Sequence, residues 1–372
     1  MSLKVAFRAD ASLDIGTGHV MRCLTLADAL RQKGATCRFL CSPLEGNLID
    51  AIRQRGHAVD ILPLPPAGHL AGSEPDLLVH QAWLCKSWQL DAQQVVEALR
   101  GQKQEWLVVD HYALDARWEK ATSAICERLL VIDDLADRHH ICDGLLDQNL
   151  GSMASAYEDK VPASCQLFVG PKFTLLRPDF AALRHDSLKR RASGALQTIL
   201  VTMGGVDKGN ATTQVLEALK SARGLPECLQ IDVVMGQHAP WLSAVRAAAE
   251  GMPWRTEVHV NTSRMADLMV RSDLAIGAAG STSWERCALG LPTVMAVLAV
   301  NQRQAARSLE QVGAVMAVEV GDSFLQEVKS CVERLALEPE LMRRMSVKAA
   351  QVTSGLGTEV LAAWMQEKIC LN

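Results

Sequence analysis

Lys4-Val5-Ala6-Phe7-Arg8-Ala9-Asp10, and shortly after it Gly16-Thr17-Gly18-His19-Val20-Met21-Arg22, decide how this chain is read. The first run is apolar and short, the pattern of a buried strand. The second opens a periodic stretch from about Val20 to Gln32, the pattern of a helix. Two glycines and a histidine therefore occupy the turn between a strand's carboxyl end and a helix's amino end. In an open parallel sheet ligands bind at such turns. Gly16 and Gly18 let backbone approach a ligand, and the helix start offers unpaired N–H groups. His19 is the turn's one side chain suited to moving a proton near neutral pH, so it is the candidate for the chemistry. The competing account is plain turn chemistry with a capping histidine. A dinucleotide fingerprint is excluded, because Met21 and Arg22 stand where G-x-G-x-x-G needs its last glycine. No acidic residue closes the next strand either, since Thr36-Cys37-Arg38-Phe39-Leu40-Cys41 runs into Ser42.

Working outward, 372 residues suit two domains better than one core. Apolar residues make up 49% and charged residues 22%, the balance of a globular protein. The net charge of -4, with Lys189-Arg190-Arg191 as the one tight basic cluster, argues against a nucleic-acid partner. No apolar run reaches the length of a membrane span. The opening Met1-Ser2-Leu3-Lys4 leads straight toward the first strand, so a cytoplasmic location is expected. The 11 cysteines form no C-x-x-C, which points to reduced thiols and away from a zinc site. No cofactor and no metal are expected. A monomer is the expectation for the assembly, although the residues do not fix the oligomeric state.

Along the first half, apolar strands alternate with helical stretches, the signature of βαβ units. Trp106-Leu107-Val108-Val109 ends in Asp110-His111-Tyr112, and Leu129-Leu130-Val131-Ile132 ends in Asp133-Asp134. Asp110 and Tyr112 are candidates for touching substrate. Asp10, Asp133 and Asp134 are weaker ones, some of them structural. Pro63 to Pro75 reads as a loop and Trp83 to Leu99 as a helix whose aromatics pack a face. Thr198-Ile199-Leu200-Val201-Thr202-Met203-Gly204-Gly205 repeats the opening pattern, with a helix from about Asn210. Gly204 and Gly205 are candidate phosphate contacts. Leu274 to Gly280 is a strand ending in small residues. Ser281 and Thr282 then begin a helix and suit a diphosphate, with Glu285 placed to receive a sugar diol. The expected fold class is α/β, two doubly wound Rossmann-like domains facing a cleft. The boundaries fall at 1–180, a linker at 181–195, a nucleotide-binding domain at 196–355, and a C-terminal helix at 356–372 packing back on the first domain.

Taken in order, the motifs resemble the UDP-2,4-diacetamido-2,4,6-trideoxy-β-L-altropyranose hydrolases of the pseudaminic acid pathway. These are relatives of the MurG-type glycosyltransferases. The matching stretches are Phe7-Arg8-Ala9-Asp10, Ile15 to Arg22, Leu44 to Asp50, Val109-Asp110-His111-Tyr112 and Asp133-Asp134. They continue with His139-His140-Ile141-Cys142-Asp143 in broken form, Leu175-Leu176-Arg177, Met203-Gly204-Gly205 and Asn301-Gln302. Ala9 and Trp284 depart from the family's pattern, which bears on the sugar more than on the reaction. The resemblance implies a GT-B fold and a nucleotide-sugar hydrolase, and the lack of a metal-ligand cluster with two helix-start anion sites makes metal independence the expectation. It implies His19 as the catalytic base. It places Gly16, Gly18, Arg22, Asp110, Tyr112, Arg177, Asn301 and Gln302 on the substrate, and Gly204, Gly205, Ser281, Thr282 and Glu285 on UDP. The implied reaction is inverting attack of water on the anomeric carbon of a UDP-sugar. An inverting glycosyltransferase and a non-catalytic nucleotide-sugar-binding protein stay open as alternatives.

Overall fold

A computed structural model describes residues 2–66 and 78–370, apart from the side chains of residues 301, 369 and 370. The Asn301 side chain and most of the loop expected at Pro63–Pro75 therefore lie outside the described residues. The chain divides into two compact units. One comprises Met1–Leu176 with Leu356–Asn372, the other Arg177–Gly355.

The first unit is built on seven parallel strands: β1 (Lys4–Ala9), β2 (Thr36–Cys41), β3 (Ala58–Ile61), β4 (Gln104–Asp110), β5 (Cys126–Ile132), β6 (Gly144–Asp147) and β7 (Gln166–Val169). Their spatial order is β3-β2-β1-β4-β5-β6-β7. Period-2 alternation sends Val5, Phe7, Trp106 and Val108 into one apolar layer, and Ala6, Leu107 and Val109 into another. Both faces of the sheet are thus covered, as a parallel sheet requires. The order reverses between β1 and β4, with Ala9 opposite Asp110 in register. The Gly16–His19 turn and the Asp110–Tyr112 segment therefore flank one crevice at the switch point. The four-residue strands β6 and β7 leave too little pattern to be read from sequence.

The C-terminal helix, Gly357–Cys370, belongs to this unit. Trp106 donates its indole N–H to the Met365 carbonyl at 3.0 Å. Trp364 packs on Trp106 and Phe168, and a Cβ added to Gly144 would fall 2.5 Å from its ring.

The second unit carries six parallel strands: β8 (Thr198–Thr202), β9 (Gln230–Met235), β10 (Arg255–Val260), β11 (Leu274–Ala278), β12 (Thr293–Val297) and β13 (Val315–Glu319). The order β10-β9-β8-β11-β12-β13 repeats the doubly wound plan. Its switch point falls between β8 and β11, so Met203-Gly204-Gly205 and Ala279-Gly280-Ser281 leave neighbouring strand ends. Among the described residues, no helix is long and apolar enough to cross a membrane.

Two expectations need correction. The stretch 181–195 is not a linker, because Pro178–Arg191 is a helix of the second unit. Its polar composition misleads because Arg191 is buried. That guanidinium donates to the carbonyls of Leu289 (3.1 Å), Met269 (2.5 Å) and Ser272 (2.7 Å). The helix expected from Trp83 to Leu99 is broken. A 3₁₀ turn, Gln81–Leu84, ends at Cys85 with φ +55°, and the helix Trp88–Ala98 starts afresh. Ser87 caps it by accepting from the Leu90 N–H at 3.2 Å.

Candidate active site

The first helix, Gly18–Gln32, starts with no side-chain cap and no acidic residue in its first turn. Gly16 holds φ +80°, which a side chain would strain, and a Cβ at Gly16 or Gly18 would meet open space. His19 and Arg22 are three residues apart and share one helix face. Both reach Asp110 at the end of β4. His19 Nδ1 lies 2.6 Å from Asp110 Oδ1. Arg22 grips the same carboxylate in two places, through Nε at 2.6 Å and Nη2 at 2.7 Å. Its remaining nitrogen, Nη1, donates to Asp134 at 2.6 Å.

Burial alone would raise the Asp110 carboxyl. The charge of Arg22 and the hydrogen bonds from Arg22 and His19 outweigh it and hold the group well below the usual carboxylate range. An ionised Asp110 can only accept, and at 2.6 Å it outcompetes the Arg22 Nη2 donor, which is 3.4 Å from the same nitrogen and would need Nδ1 bare. His19 therefore donates from Nδ1, and the Nε2 lone pair is left to accept a proton. A histidine oriented by a buried carboxylate is the arrangement of a general base.

Asp110 is fully buried, with both oxygens spent on His19 and Arg22. It positions the histidine and is not placed to touch substrate. Arg22 is likewise spent on two carboxylates. Tyr112 donates to Asp134 at 2.8 Å. Burial first, then the Asp134 charge, raises its phenol and keeps it protonated. Its ring stands edge-on to His19, with centroids 4.6 Å apart.

Other candidates turn out to be scaffold. Arg8 is fully buried and donates to Asp10 at 2.8 Å and to Asp91 at 2.7 Å. Asp10 also accepts from the Ser42 N–H at 2.7 Å. This paired cluster ties β1 to the helix Trp88–Ala98, and its cost of burial is met by the pairing. Asp133 accepts from the Ala136 N–H at 3.0 Å and pairs with Arg138 at 2.9 Å. His140 sits 2.6 Å from Glu119. Burial would lower its pKa, but the neighbouring carboxylates of Asp133 and Glu119 raise it to about 9.

Two residues escaped the sequence reading. Trp83 and His80 stand against Tyr112, with centroids 5.8 and 5.4 Å from its ring, and Trp83 is 6.4 Å from His19. The break at Cys85 takes Trp83 off the helix and leaves it in this group. A left-handed residue at a non-glycine position was not readable from the residues alone.

In the second unit, Asp207 is buried and accepts from the Ala211 and Thr212 N–H groups, both at 2.9 Å. The start of the helix Ala211–Ser221 is thus already occupied by a carboxylate, which disfavours an anion there. The Gly204–Gly205 turn itself is open: a Cβ at either would meet nothing within 4 Å. Ser281 is exposed and Thr282 half-buried at the start of the helix Thr282–Ala288. Glu285, half-buried in that helix, has its carboxyl pushed up to about 7 by burial, against the charges of Arg177 and Arg286. Arg177 is half-buried and donates to the Ser263 carbonyl at 3.4 Å. Gln302 accepts from the Leu298 N–H at 2.9 Å. Among the described residues, Asp232, Glu257 and His259 lie close enough to share a metal ion. Arg271 already grips Asp232 at 2.6 and 3.1 Å, so a cation there would meet an existing one.

Comparison with known proteins follows the same division. Residues 198–357 match the model of the glycosyltransferase family 28 C-terminal domain. The chain is 27% identical over 280 residues to the UDP-2,4-diacetamido-2,4,6-trideoxy-beta-L-altropyranose hydrolase of Campylobacter jejuni, covering 75% of this chain and 86% of that one. It is 24% identical over 323 residues to the spore coat polysaccharide biosynthesis protein SpsG of Bacillus subtilis, covering 86% and 85%. The crystal structure of Acinetobacter baumannii MurG superposes with a TM-score of 0.69 at 17% identity, covering 99% of this chain and 100% of that one. At that identity the likeness shows the fold, which is GT-B.

Proposed function

We propose that the protein is an enzyme acting on UDP-sugars, and specifically a hydrolase that releases UDP and a free diacetamido-trideoxy-altrose. The observation that carries this reading is His19 at the β1–β4 switch point, oriented through Nδ1 by a buried carboxylate 2.6 Å away. The similarity to a hydrolase of that substrate class supports it. In this reading the UDP phosphates lie against Gly204, Gly205, Ser281 and Thr282, and Glu285 accepts from the ribose diol. Arg177, Asn301 and Gln302 complete the substrate contacts. Water attacks the anomeric carbon from the face opposite UDP, and His19 Nε2 takes its proton. The bond between that carbon and the diphosphate oxygen breaks, and UDP leaves with the electron pair. Backbone N–H groups beside the phosphates stabilise the departing charge, so no metal is required. A single displacement inverts the anomeric centre.

The direct test is incubation of the protein with the UDP-sugar, no acceptor and excess chelator. Release of UDP and free sugar of inverted configuration is expected. Binding without turnover would make the protein a sensor. Turnover only on addition of an acceptor sugar would make it a transferase, and rescue by magnesium would end the metal-free reading.

Glu285 gives a second test by calorimetry. Glu285→Ala is expected to weaken UDP binding by about 1.5–3 kcal/mol, the value of a hydrogen bond to a charged group. The sign with pH follows from a carboxyl at about 7. Below that value it is protonated and loses its charge-assisted bond, so wild-type affinity should rise from pH 6 to pH 8. The phosphate's own titration remains in the variant, so the difference between the two proteins isolates the carboxylate. Equal affinities across that range in a folded variant would remove Glu285 from the role.

A further inference from the structure

We infer that Trp83, with His80 and Tyr112, forms an aromatic wall beside His19 that selects a deoxygenated, N-acylated sugar ring; this rests on the UDP-sugar reading above. Trp83 and Tyr112 are stacked, with centroids 5.8 Å apart and planes 27° from parallel. His80 closes the group at 4.4 Å from Trp83 and 5.4 Å from Tyr112. His19 meets it edge-on, 4.6 Å from Tyr112 and 6.4 Å from Trp83.

These rings are not core filling. Leu84, the next residue along from Trp83, is fully buried and anchors the 3₁₀ turn, while Trp83 and His80 remain half-buried. The turn is held beyond Leu84 as well. Cys85 turns left-handed, Lys86 donates to Gln94 at 2.8 Å, and Ser87 caps the following helix. Trp83 is thus carried on a fixed support and left half-buried, which suits a ligand contact better than core packing.

Among the described residues, most polar groups around it are already paired, with Asp134 Oδ1 and His19 Nε2 left over. The Tyr112 hydroxyl serves Asp134, Arg22 serves two carboxylates, and Asp110 serves His19 and Arg22. What the wall presents is chiefly aromatic surface. A fully hydroxylated hexose laid on it would leave hydroxyls unpaired, which is costly. A sugar lacking hydroxyls at three positions and bearing two acetamido groups offers C–H bonds and methyl groups to the rings, while its amide N–H and C=O groups need a polar edge beside them. Among the described residues, His80 adds a polar edge beside that of His19. Burial first, and then the Arg138 charge, lower its pKa against Asp137, favouring a neutral imidazole that can bond an amide.

The test compares wild type, Trp83→Ala and Trp83→Phe. The ligands are UDP, UDP-diacetamido-trideoxy-altrose and UDP-N-acetylglucosamine, followed by calorimetry and steady-state kinetics. Trp83→Ala is expected to raise KM for the diacetamido substrate about tenfold, the loss of one aromatic face. UDP affinity should be unchanged and the preference over UDP-N-acetylglucosamine should narrow. Trp83→Phe should keep most of that preference, and it carries the test together with His80→Ala if Trp83→Ala does not fold. Folded variants with unchanged KM and unchanged preference would overturn the wall and leave the hydrolase reading standing. If wild type binds UDP-sugars no better than UDP and turns none over, the functional reading fails, and the wall's ligand with it.

Discussion

Replacing His19 with Asn is expected to lower kcat by about 10²–10⁴, the usual contribution of a positioned general base, with UDP affinity nearly unchanged. The first half of that expectation comes from geometry. The Nδ1 proton is committed to Asp110 at 2.6 Å, so Nε2 is the nitrogen that takes the proton of water. Asn keeps an amide N–H for Asp110 but has no basic nitrogen to replace Nε2. The second half comes from the division of labour, since every proposed UDP contact belongs to the Arg177–Gly355 unit and His19 to the other. Stopped assays of UDP release give kcat, calorimetry gives the UDP Kd, and a thermal midpoint checks the fold. A merely structural histidine would lose stability along with activity. A folded Asn variant with near-normal kcat would refute the assignment. Asp110 and Asp10 could not then step in, because both are buried and already paired with arginines. His80, the half-buried imidazole of the same aromatic group, would be the next residue to replace.

What was legible in the residues follows from how local each signal is. The Gly16–His19 turn was readable because a strand, two glycines and a helical period lie within one short stretch. The same holds for Gly204–Gly205 and for Ser281–Thr282. Asp110 was visible as a strand-end carboxylate, but its task was not. Its partner Arg22 is 88 residues away, and nothing in either neighbourhood shows that they meet. Arg191 gives no sign of its burial for the same reason, since its carbonyl partners come from distant helix ends at Met269, Ser272 and Leu289. The Trp83 position failed differently: helical spacing runs through Cys85, and only the left-handed backbone there breaks it. Asp207, beside the two glycines, carries no local sign of its task, although its carboxylate takes the helix-start N–H groups that a phosphate would want.

Asp110→Asn should cost nearly as much rate as the loss of His19, about 10²–10⁴ in kcat, although Asp110 touches no substrate in this reading. Its carboxylate is held ionised against its own burial by Arg22 and His19. As an ion it can only accept, and this forces the His19 proton onto Nδ1. An Asn amide can turn its NH₂ toward Nδ1 instead, which moves the imidazole proton to Nε2 and removes the base. There is a structural cost as well. Arg22 would keep Asp134 at 2.6 Å but lose the bidentate half of its pairing, and an incompletely paired buried charge destabilises by about 3–5 kcal/mol. Rate loss and stability loss are therefore both expected, and a single variant cannot separate them. The double variant His19→Asn with Asp110→Asn can. If Asp110 acts on the reaction through His19, removing it from a protein that already lacks His19 should cost little further kcat, while the drop in thermal midpoint persists. If the two rate losses instead multiply, Asp110 works independently of His19, and the oriented-base account of this site falls.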